Sequence, residues 1–257
     1  KEWFDNTDIP FIPCLNVRSY VVDICEMWRS IQDIQVVSIS GSVGTTSTTR
    51  MIANVTRDAK NTYMVDGNQN TLVKIATFML NLPPKTEVFV QESSGSYVGQ
   101  LENIARAIRP NIHVVTNVGH GHIGNYGGDR HNLMREKLAM DRELVEGGIG
   151  VINWDDELLK EAYYHNDVVK ISIRNSDVDY FADNIVETAG KLFFDCVEKD
   201  GTRTAVQLNV CGLHNVYNAL SAFAVGVHMG IDRESIVKSL KKFKSSGVRQ
   251  NLVWYSG

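Results

Sequence analysis

The residues best suited to chemistry form a short loop between a β-branched run and a segment of helical character. Where a strand passes through glycines into a helix, backbone N–H groups and the positive helix end can bind an anion. Gly41 and Gly44 would allow close approach of phosphate oxygens, and Thr46 stands where a hydroxyl would bind Mg²⁺ in such loops. The pattern predicts phosphate binding, with a plain strand-to-helix turn as the alternative. The predicted phosphate site comprises Gly41, Ser42, Gly44, Thr45, Thr46 and Ser47.

One position of this loop departs from the usual pattern. Thr45 stands where a lysine would reach the β- and γ-phosphates of a nucleotide, so one positive charge is missing. Arg50 lies five residues further on, a little over one helical turn, and could supply a charge or simply face solvent. The loop alone therefore predicts a phosphate site that is weaker than a complete one.

Other polar residues follow apolar runs. Glu92 comes after a strand-like run, where a carboxylate would suit a hard cation or stand as a solvated loop residue. His122 lies in a glycine-rich loop and could bind a metal or make ordinary hydrogen bonds. Asn215 and Asn218 share one face of a predicted helix, so both amides could point at one ligand, although Asn215 alone could cap that helix. The pair at 155–156 is interpreted as a helix N-cap.

The elements that must position these residues alternate between short apolar strands and helical segments. This alternation predicts an α/β fold with a P-loop-type parallel sheet flanked by helices. In such sheets ligands bind beyond the carboxyl ends of the strands, which is where the polar residues fall. Strands are predicted at 36–40, 88–91, 112–116 and 150–153, and helices at 20–29, 46–57 and 100–108.

The second half has a different pattern. Strand-like runs without long helices between them predict a small antiparallel subsheet with a turn at 199–201. Two amphipathic helices follow, separated by the stop signal of Gly230. The predicted strands are 168–173, 191–197 and 204–210, the helices are 216–229 and 233–243, and 249–257 is predicted to be extended.

Composition excludes several classes of function. The net charge of −4 over 257 residues, without a basic run, argues against nucleic-acid binding. No apolar stretch reaches the roughly 18 residues that a membrane span requires, and the first residues have no signal-peptide layout. The four cysteines form no CxxC pair, which is typical of reduced thiols in a cytoplasmic protein.

Four further segments follow the glycine loop in a fixed order and together resemble the central ATP-binding domain of the Mur ligases. The similarity begins near Val36 and runs to the end. Residues 1–35 would then be a linker or a remnant of an N-terminal domain, and 36–257 the central domain without its C-terminal neighbour. The segments are Glu92-Ser93-Ser94-Gly95 with Gly99, Thr116-Asn117-Val118-Gly119-His120-Gly121-His122, Arg135-Glu136-Lys137, and Gly212-Leu213-His214-Asn215-Val216-Tyr217-Asn218-Ala219-Leu220.

The resemblance implies an ATP-dependent, ADP-forming ligase of peptidoglycan precursor synthesis. It looks nearest to the branch that adds D-alanyl-D-alanine to a UDP-muramoyl tripeptide, on the strength of 181–185 and the Asn68/Asn70 pair. The implied partners are ATP, Mg²⁺, a UDP-muramoyl peptide and an amino acid or dipeptide. An acyl phosphate would form on the substrate carboxylate before the amine attacks.

The family also implies roles for individual residues. Lys137, His122 and Glu92 would be catalytic. The counterpart of Lys137 is carbamylated in these enzymes, whereas the residue alone indicates an ordinary surface lysine. Metal binding would involve Thr46, Glu92 and His122, and the nucleotide would contact the glycine loop, Asn215, Asn218 and Arg249.

Departures from the family pattern keep two alternatives open. Thr45 replaces the lysine, Gln100 replaces a usual glutamate, and Ser94 stands where glycine is common. All three lie near the predicted metal and phosphate end. The chain could therefore be a catalytically impaired nucleotide-binding module, or it could belong to a related polyglutamate or folate-type amide ligase.

Overall fold

The computed structural model describes residues 13–65, 69–121 and 123–244. Helices and strands alternate through most of this range, as the sequence predicts. The helices are α1 (Val17–Ser30), α2 (Thr45–Arg57), α3 (Leu72–Leu80), α4 (Gln100–Ile108), α5 (Arg130–Lys137), α6 (Glu157–Lys160), α7 (His214–His228) and α8 (Arg233–Lys242). The strands are β1 (Gln35–Ser40), β2 (Thr62–Met64), β3 (Val88–Glu92), β4 (Ile112–Val115), β5 (Ile149–Asn153), β6 (Asp167–Ser172), β7 (Tyr180–Thr188), β8 (Lys191–Glu198) and β9 (Arg203–Leu208).

All described strands form one sheet in the order β2-β3-β1-β4-β5-β6-β7-β8-β9. Neighbours from β2 to β7 are parallel, and the pairs β7–β8 and β8–β9 are antiparallel. The predicted parallel sheet with an antiparallel part is thus confirmed. In this order β1 lies between β3 and β4, so the ends of these three strands meet at one edge.

Helices cover both faces of the parallel part, which explains why its strands are apolar on both sides. On one face α2, α7 and α8 pack on a core that includes Val37, Ile39 and Phe223. On the other face α1, α3 and α4 pack on a core that includes Phe89 and Ile104. Because α2 is held between the sheet and α7, the start of α2 has a fixed position above the end of β1.

Three features of the sheet differ from the sequence-based predictions. β2 and α3 were not predicted, although α3 is a nine-residue and mostly apolar helix. β6 was assigned to the antiparallel part, but it pairs in parallel with both β5 and β7. β7 was not predicted as a strand, because an irregularity between Asp183 and Val186 interrupts its alternation, with Asn184 at a φ of 51°.

The remaining predicted elements are confirmed within three residues, the largest difference being the start of α1 at Val17. The helices at 216–229 and 233–243 correspond to α7 and α8, and the turn at 199–201 joins β8 to β9. The segment predicted to be extended, 249–257, lies outside the described residues. Within the described ranges, no helix has the length and apolar character needed to cross a membrane. The domain boundary at residue 35 stays a prediction.

Candidate functional site

The glycine loop leaves β1 and enters α2 along a path that is fixed by the end of β4. Asn117 Oδ1 accepts the N–H groups of Ser42 and Val43 at 3.2 and 3.0 Å, and Thr116 Oγ1 donates to the Val43 carbonyl at 2.7 Å. Gly41 lies so close to Thr116 that a Cβ there would stand 1.9 Å from Thr116 Oγ1. Glycine at position 41 is therefore a packing requirement of the loop.

The first turn of α2 faces an open cleft. Its N-cap is Gly44, at a φ of 86° and with no side-chain cap hydrogen bond. An uncapped helix start leaves backbone N–H donors that can bind an anion, and the helix dipole adds to this. Gly44, Thr45, Thr46 and Ser47 line this cleft of about 640 Å³. This geometry is compatible with anion binding at the start of α2, which stays a prediction.

Glu92 lies at the end of β3 and is bound to the first two residues of α2. Thr45 Oγ1 donates to Glu92 Oε1 at 3.0 Å, and Thr46 Oγ1 donates to Glu92 Oε2 at 2.8 Å. The hydroxyl that replaces the expected lysine is thus engaged by a carboxylate. Carboxylate and hydroxyl oxygens are ligands that suit Mg²⁺, which completes its coordination with water and phosphate oxygens. Glu92 and Thr46 therefore fit one side of a magnesium site.

Lys137 ends α5, and its side chain reaches the glycine loop. Only 6% of it is exposed, and its Nζ donates to the Gly41 carbonyl at 2.7 Å. Burial lowers the pKa of Lys137 to about 8, and the nearby Glu136 and Glu92 carboxylates oppose this shift. The interpretation of Lys137 as a surface lysine is wrong, because its side chain is buried and bound to the loop backbone. It lines the same cleft as the α2 start.

Glu136 has a positioning role that the sequence analysis did not find. Its two carboxylate oxygens accept the N–H groups of Gly99 and Leu101, each at 2.7 Å, at the start of α4. A carboxylate that caps a helix start is stabilised by the helix dipole. Glu136 therefore fixes the end of α5, and with it Lys137, against α4. The only sequence signal was its place beside Lys137.

A buried polar cluster lies beneath the loop and was also not found from the sequence. Ser40 Oγ contacts His113 Nε2 at 2.9 Å and the Lys137 carbonyl at 3.4 Å. His113 is buried, and burial, with a smaller effect of Lys137, lowers its pKa to about 3. The imidazole is therefore neutral near pH 7. The cluster ties β1, β4 and α5 together directly below the cleft.

The start of α7 forms the other end of the cleft, where His214 and Asn215 line the wall. Asn218 Nδ2 donates to Asn215 Oδ1 at 3.1 Å, and Thr48 Oγ1 donates to Asn218 Oδ1 at 3.0 Å. The two amides thus lie together, as their spacing predicts. Capping by Asn215 is wrong, because its side chain donates to the Cys211 carbonyl at 2.6 Å.

A second, smaller cleft of about 250 Å³ adjoins the first, and both are lined by Gly44 and His214. Asp155 lies in its wall and accepts from Ser172 Oγ at 2.6 Å and Tyr217 OH at 2.9 Å. Burial and this bond raise the pKa of Tyr217. Asp156 accepts the Leu158 and Leu159 N–H groups at the start of α6, so the predicted N-cap is confirmed. Asp155 instead joins β6 to α7.

Other predicted residues lie elsewhere. Gln100 is buried and accepts the Ser96 N–H at 2.8 Å, which is a loop-stabilising role. Arg50 is half-buried and is not among the described residues that line the larger cleft. Asn70 does line that cleft. His122, Arg249 and Asn68 lie outside the described residues. Within the described part of the chain, no group of three or more His, Cys, Asp or Glu side chains could hold a metal.

Comparisons with known proteins agree with this arrangement. A family model described as the Mur ligase middle domain matches residues 39–226. The UDP-N-acetylmuramoyl-tripeptide--D-alanyl-D-alanine ligase of Bacillus subtilis (strain 168) is 28% identical over 219 residues, which cover 85% of this chain and 47% of that protein. The UDP-N-acetylmuramate--L-alanine ligase of Aquifex aeolicus (strain VF5) is 30% identical over 231 residues, which cover 85% of this chain and 46% of that protein. The chain spans about half the length of the curated relatives it matches.

Solved structures share the fold. MurF from Acinetobacter baumannii superposes with a TM-score of 0.88 at 22% identity, covering 98% of this chain and 55% of that chain. MurF ligase from Thermotoga maritima, solved in complex with ADP, gives a TM-score of 0.86 at 21% identity. The match covers 98% of this chain and 58% of that chain. At these identities the likeness concerns the fold.

Proposed function

Because the chain belongs to the Mur ligase middle-domain family, we propose that it is the ATP-binding domain of an ADP-forming ligase of peptidoglycan precursor synthesis. The observation that carries this proposal is the uncapped start of α2, which opens into the cleft beside Glu92. Backbone N–H groups there would bind the phosphates of ATP, since an anion satisfies donors that no side chain satisfies.

Glu92 and Thr46 would hold Mg²⁺ at the phosphate end, with His122 as a further predicted ligand. Bound Mg²⁺ would neutralise phosphate charge and orient the transferred group. The carboxylate already accepts from the two threonine hydroxyls, at 3.0 and 2.8 Å, so its position is fixed before any cation binds. Such a fixed ligand would reduce the cost of assembling the site.

The nucleoside part of ATP would lie toward α7. There Asn215 and Asn218 present amides that can donate and accept hydrogen bonds, and both clefts are lined by His214 beside Gly44. Arg249 stays a predicted nucleotide contact.

The chemistry would have two steps. An oxygen of the substrate carboxylate would attack the terminal phosphorus of ATP, forming an acyl phosphate and releasing ADP. The amine of the second substrate would then attack the acyl carbon, forming the amide and releasing phosphate and a proton. Both steps need positioning and charge neutralisation more than covalent help from the protein.

For the substrates, we propose a UDP-muramoyl tripeptide and D-alanyl-D-alanine. This choice follows the Bacillus subtilis relative and the MurF structures, whereas other relatives join L-alanine to UDP-N-acetylmuramate. We also propose a cytoplasmic location, which agrees with four cysteines that are all free.

A second candidate function is nucleotide binding without turnover. It is favoured by Thr45, whose hydroxyl donates to Glu92 where a charged group would be expected to contact phosphate. A lost charge-assisted hydrogen bond costs on the order of 1.5–3 kcal/mol, or roughly 10- to 100-fold in rate.

Phosphate release by the natural full-length protein separates the two candidates. The assay would supply Mg·ATP, UDP-muramoyl tripeptide and D-alanyl-D-alanine, and L-alanine with UDP-N-acetylmuramate in a parallel arm. Release that requires both co-substrates is expected. ADP binding without release in any arm would leave the binding module as the function, and no nucleotide binding would contradict both.

A further inference from the structure

The glycine loop at the phosphate end of the cleft has no cation of its own. Residues 41–47 contain no lysine or arginine, and the Thr45 side chain is bound to Glu92. A triphosphate is a strongly charged ligand, and Glu92 adds a further negative charge at the same place. Backbone N–H groups carry only partial charge, so a full positive charge nearby would change the affinity for phosphate substantially.

Among the residues that the structure describes, Lys137 is the one lysine or arginine that lines this cleft. Its Nζ lies 2.7 Å from the Gly41 carbonyl, which is three residues before Gly44 and the start of α2. The side chain therefore reaches the loop through space from α5, although it is 96 residues away in sequence. A lysine at position 45 would approach the same phosphates from within α2.

The position of this ammonium group is built by several elements. Ser40 Oγ donates to the Lys137 carbonyl at 3.4 Å, and Glu136 binds the start of α4. With only 6% of the residue exposed, the Lys137 stem cannot swing freely into solvent. A lysine held in this way loses little side-chain entropy when it binds a ligand.

The charge balance of the cleft also depends on whether Lys137 Nζ is a free ammonium group or a carbamate. Where no divalent cation is bound, a carbamate on Nζ would place a second anion in the cleft with Glu92, and the loop has no lysine to offset it. Like charges in a partly buried site are costly, and a triphosphate would increase that cost. The free ammonium has the opposite effect, because it offsets Glu92 and attracts the phosphates.

We propose that Lys137, as a free ammonium group, supplies the phosphate-binding charge that Thr45 cannot supply. This inference rests on the proposed nucleotide-binding function and adds a specific ligand contact to it. It assigns Lys137 to binding of the β-phosphate of ADP and the β- and γ-phosphates of ATP.

The test measures ADP binding to the natural full-length protein by calorimetry, in EDTA so that no divalent cation contributes. Lys137→Gln is expected to weaken binding by roughly 10- to 100-fold, and Lys137→Arg to keep it within about threefold. Thr45→Lys added to Lys137→Gln is expected to restore most of the loss, because it returns a cation to the same phosphates. Lys74→Gln, at an exposed position on α3, is the matched control and should change nothing.

Several results would overturn the inference. They are unchanged or tighter binding by Lys137→Gln, no recovery on adding Thr45→Lys, and a ¹³C-bicarbonate-derived carbamate signal on Lys137 that strengthens ADP binding. If wild-type protein binds no ADP, the proposed function fails and this inference fails with it. Binding that is insensitive to Lys137 overturns this inference alone.

A further arm covers the case in which Lys137→Gln does not fold, as thermal unfolding would show. Thr45→Lys in the otherwise natural protein is expected to gain less than about threefold in affinity, because a cation already serves these phosphates. A gain of tenfold or more would mean that the charge is absent in the natural protein, and would overturn the inference.

Discussion

The two ends of the cleft are built in different ways. The phosphate end collects single side chains from several strand ends and from α5, and each is fixed by hydrogen bonds to backbone or to other side chains. The α7 end depends on one helix, on which Asn218 donates to Asn215 and accepts from Thr48 of α2. The ends meet where Gly44 lies against Asn218, since a Cβ at Gly44 would stand 2.8 Å from Asn218 Oδ1.

Under the proposed function, this difference would account for departures from the family pattern that lie only at the phosphate end. A site assembled from many elements can lose one side chain, as we propose for Thr45, while another element supplies a group to the same space. A site on one helix face depends on a fixed spacing, and here both asparagines are present. Substitutions at the two ends should therefore have separable effects.

The largest effect is expected at Gly41. Gly41→Ala would drive a Cβ into Thr116, at a distance of 1.9 Å, with a φ of 154°. We expect the free energy of unfolding to fall by about 2–4 kcal/mol and ADP affinity to fall roughly 100-fold. Gly201→Ala is the matched control, because it has a positive φ and no atom within 4 Å. Denaturant unfolding measures the unfolding free energy, and calorimetry measures the ADP affinity. Equal effects of Gly41→Ala and Gly201→Ala would contradict the close packing of the loop.

The next effect concerns the α7 end. Asp155→Ala would remove the acceptor of Ser172 Oγ, the Ile173 N–H and Tyr217 OH. We expect a loss of about 2–3 kcal/mol in unfolding free energy. ADP binding should weaken while tripolyphosphate binding is unchanged, since only the nucleoside end is disturbed. Asp167→Ala, at an exposed position, should change neither the unfolding free energy nor ADP binding. Parallel weakening of both ligands would mean that the ends are not separable.

The phosphate end should show a pH dependence that comes from His113. Its folded pKa of about 3 lies below the ordinary value of 6.5, so the unfolded state binds a proton that the folded state does not. Stability from this group is therefore full above pH 6.5 and is lost as pH falls toward 3. Between pH 7 and 5 we expect a loss of about 2 kcal/mol.

The measurement is the unfolding free energy at both pH values for the natural protein and for His113→Gln. The variant should lack this part of the loss. If both proteins lose stability equally between pH 7 and 5, His113 does not carry the effect.

The smallest effect tests the contact between the ends. Thr48 donates to Asn218 at 3.0 Å, so Thr48→Val and Asn218→Ala should show a coupling energy of about 1 kcal/mol in a double-mutant cycle. Thr49→Val is the control, because the Thr49 hydroxyl donates to the Thr45 carbonyl of its own helix. A coupling with Asn218 that is equal for Thr48 and Thr49 would contradict a specific bond between α2 and α7.

The sequence predicted most of the parallel sheet, because buried strands and amphipathic helices have clear local periodicity. It did not predict the pairing of β6, since the preceding helix α6 has four residues and is too short to show a crossover. Nor could it place Lys137 beside Gly41, because a contact between residues 96 apart depends on how α5 packs. The Ser40–His113 pair was missed for the same reason, as the two lie on neighbouring strands joined through a long connection.

The proposed function requires that the start of α2 binds the phosphates of a nucleotide. Adding ADP to ¹⁵N-labelled natural protein tests this directly, by the chemical shifts of backbone amides. The predicted result is that the largest shifts occur at the N–H groups of Gly44, Thr45 and Thr46, with smaller shifts near Asn215. ADP binding that leaves those three amides unchanged would contradict the account.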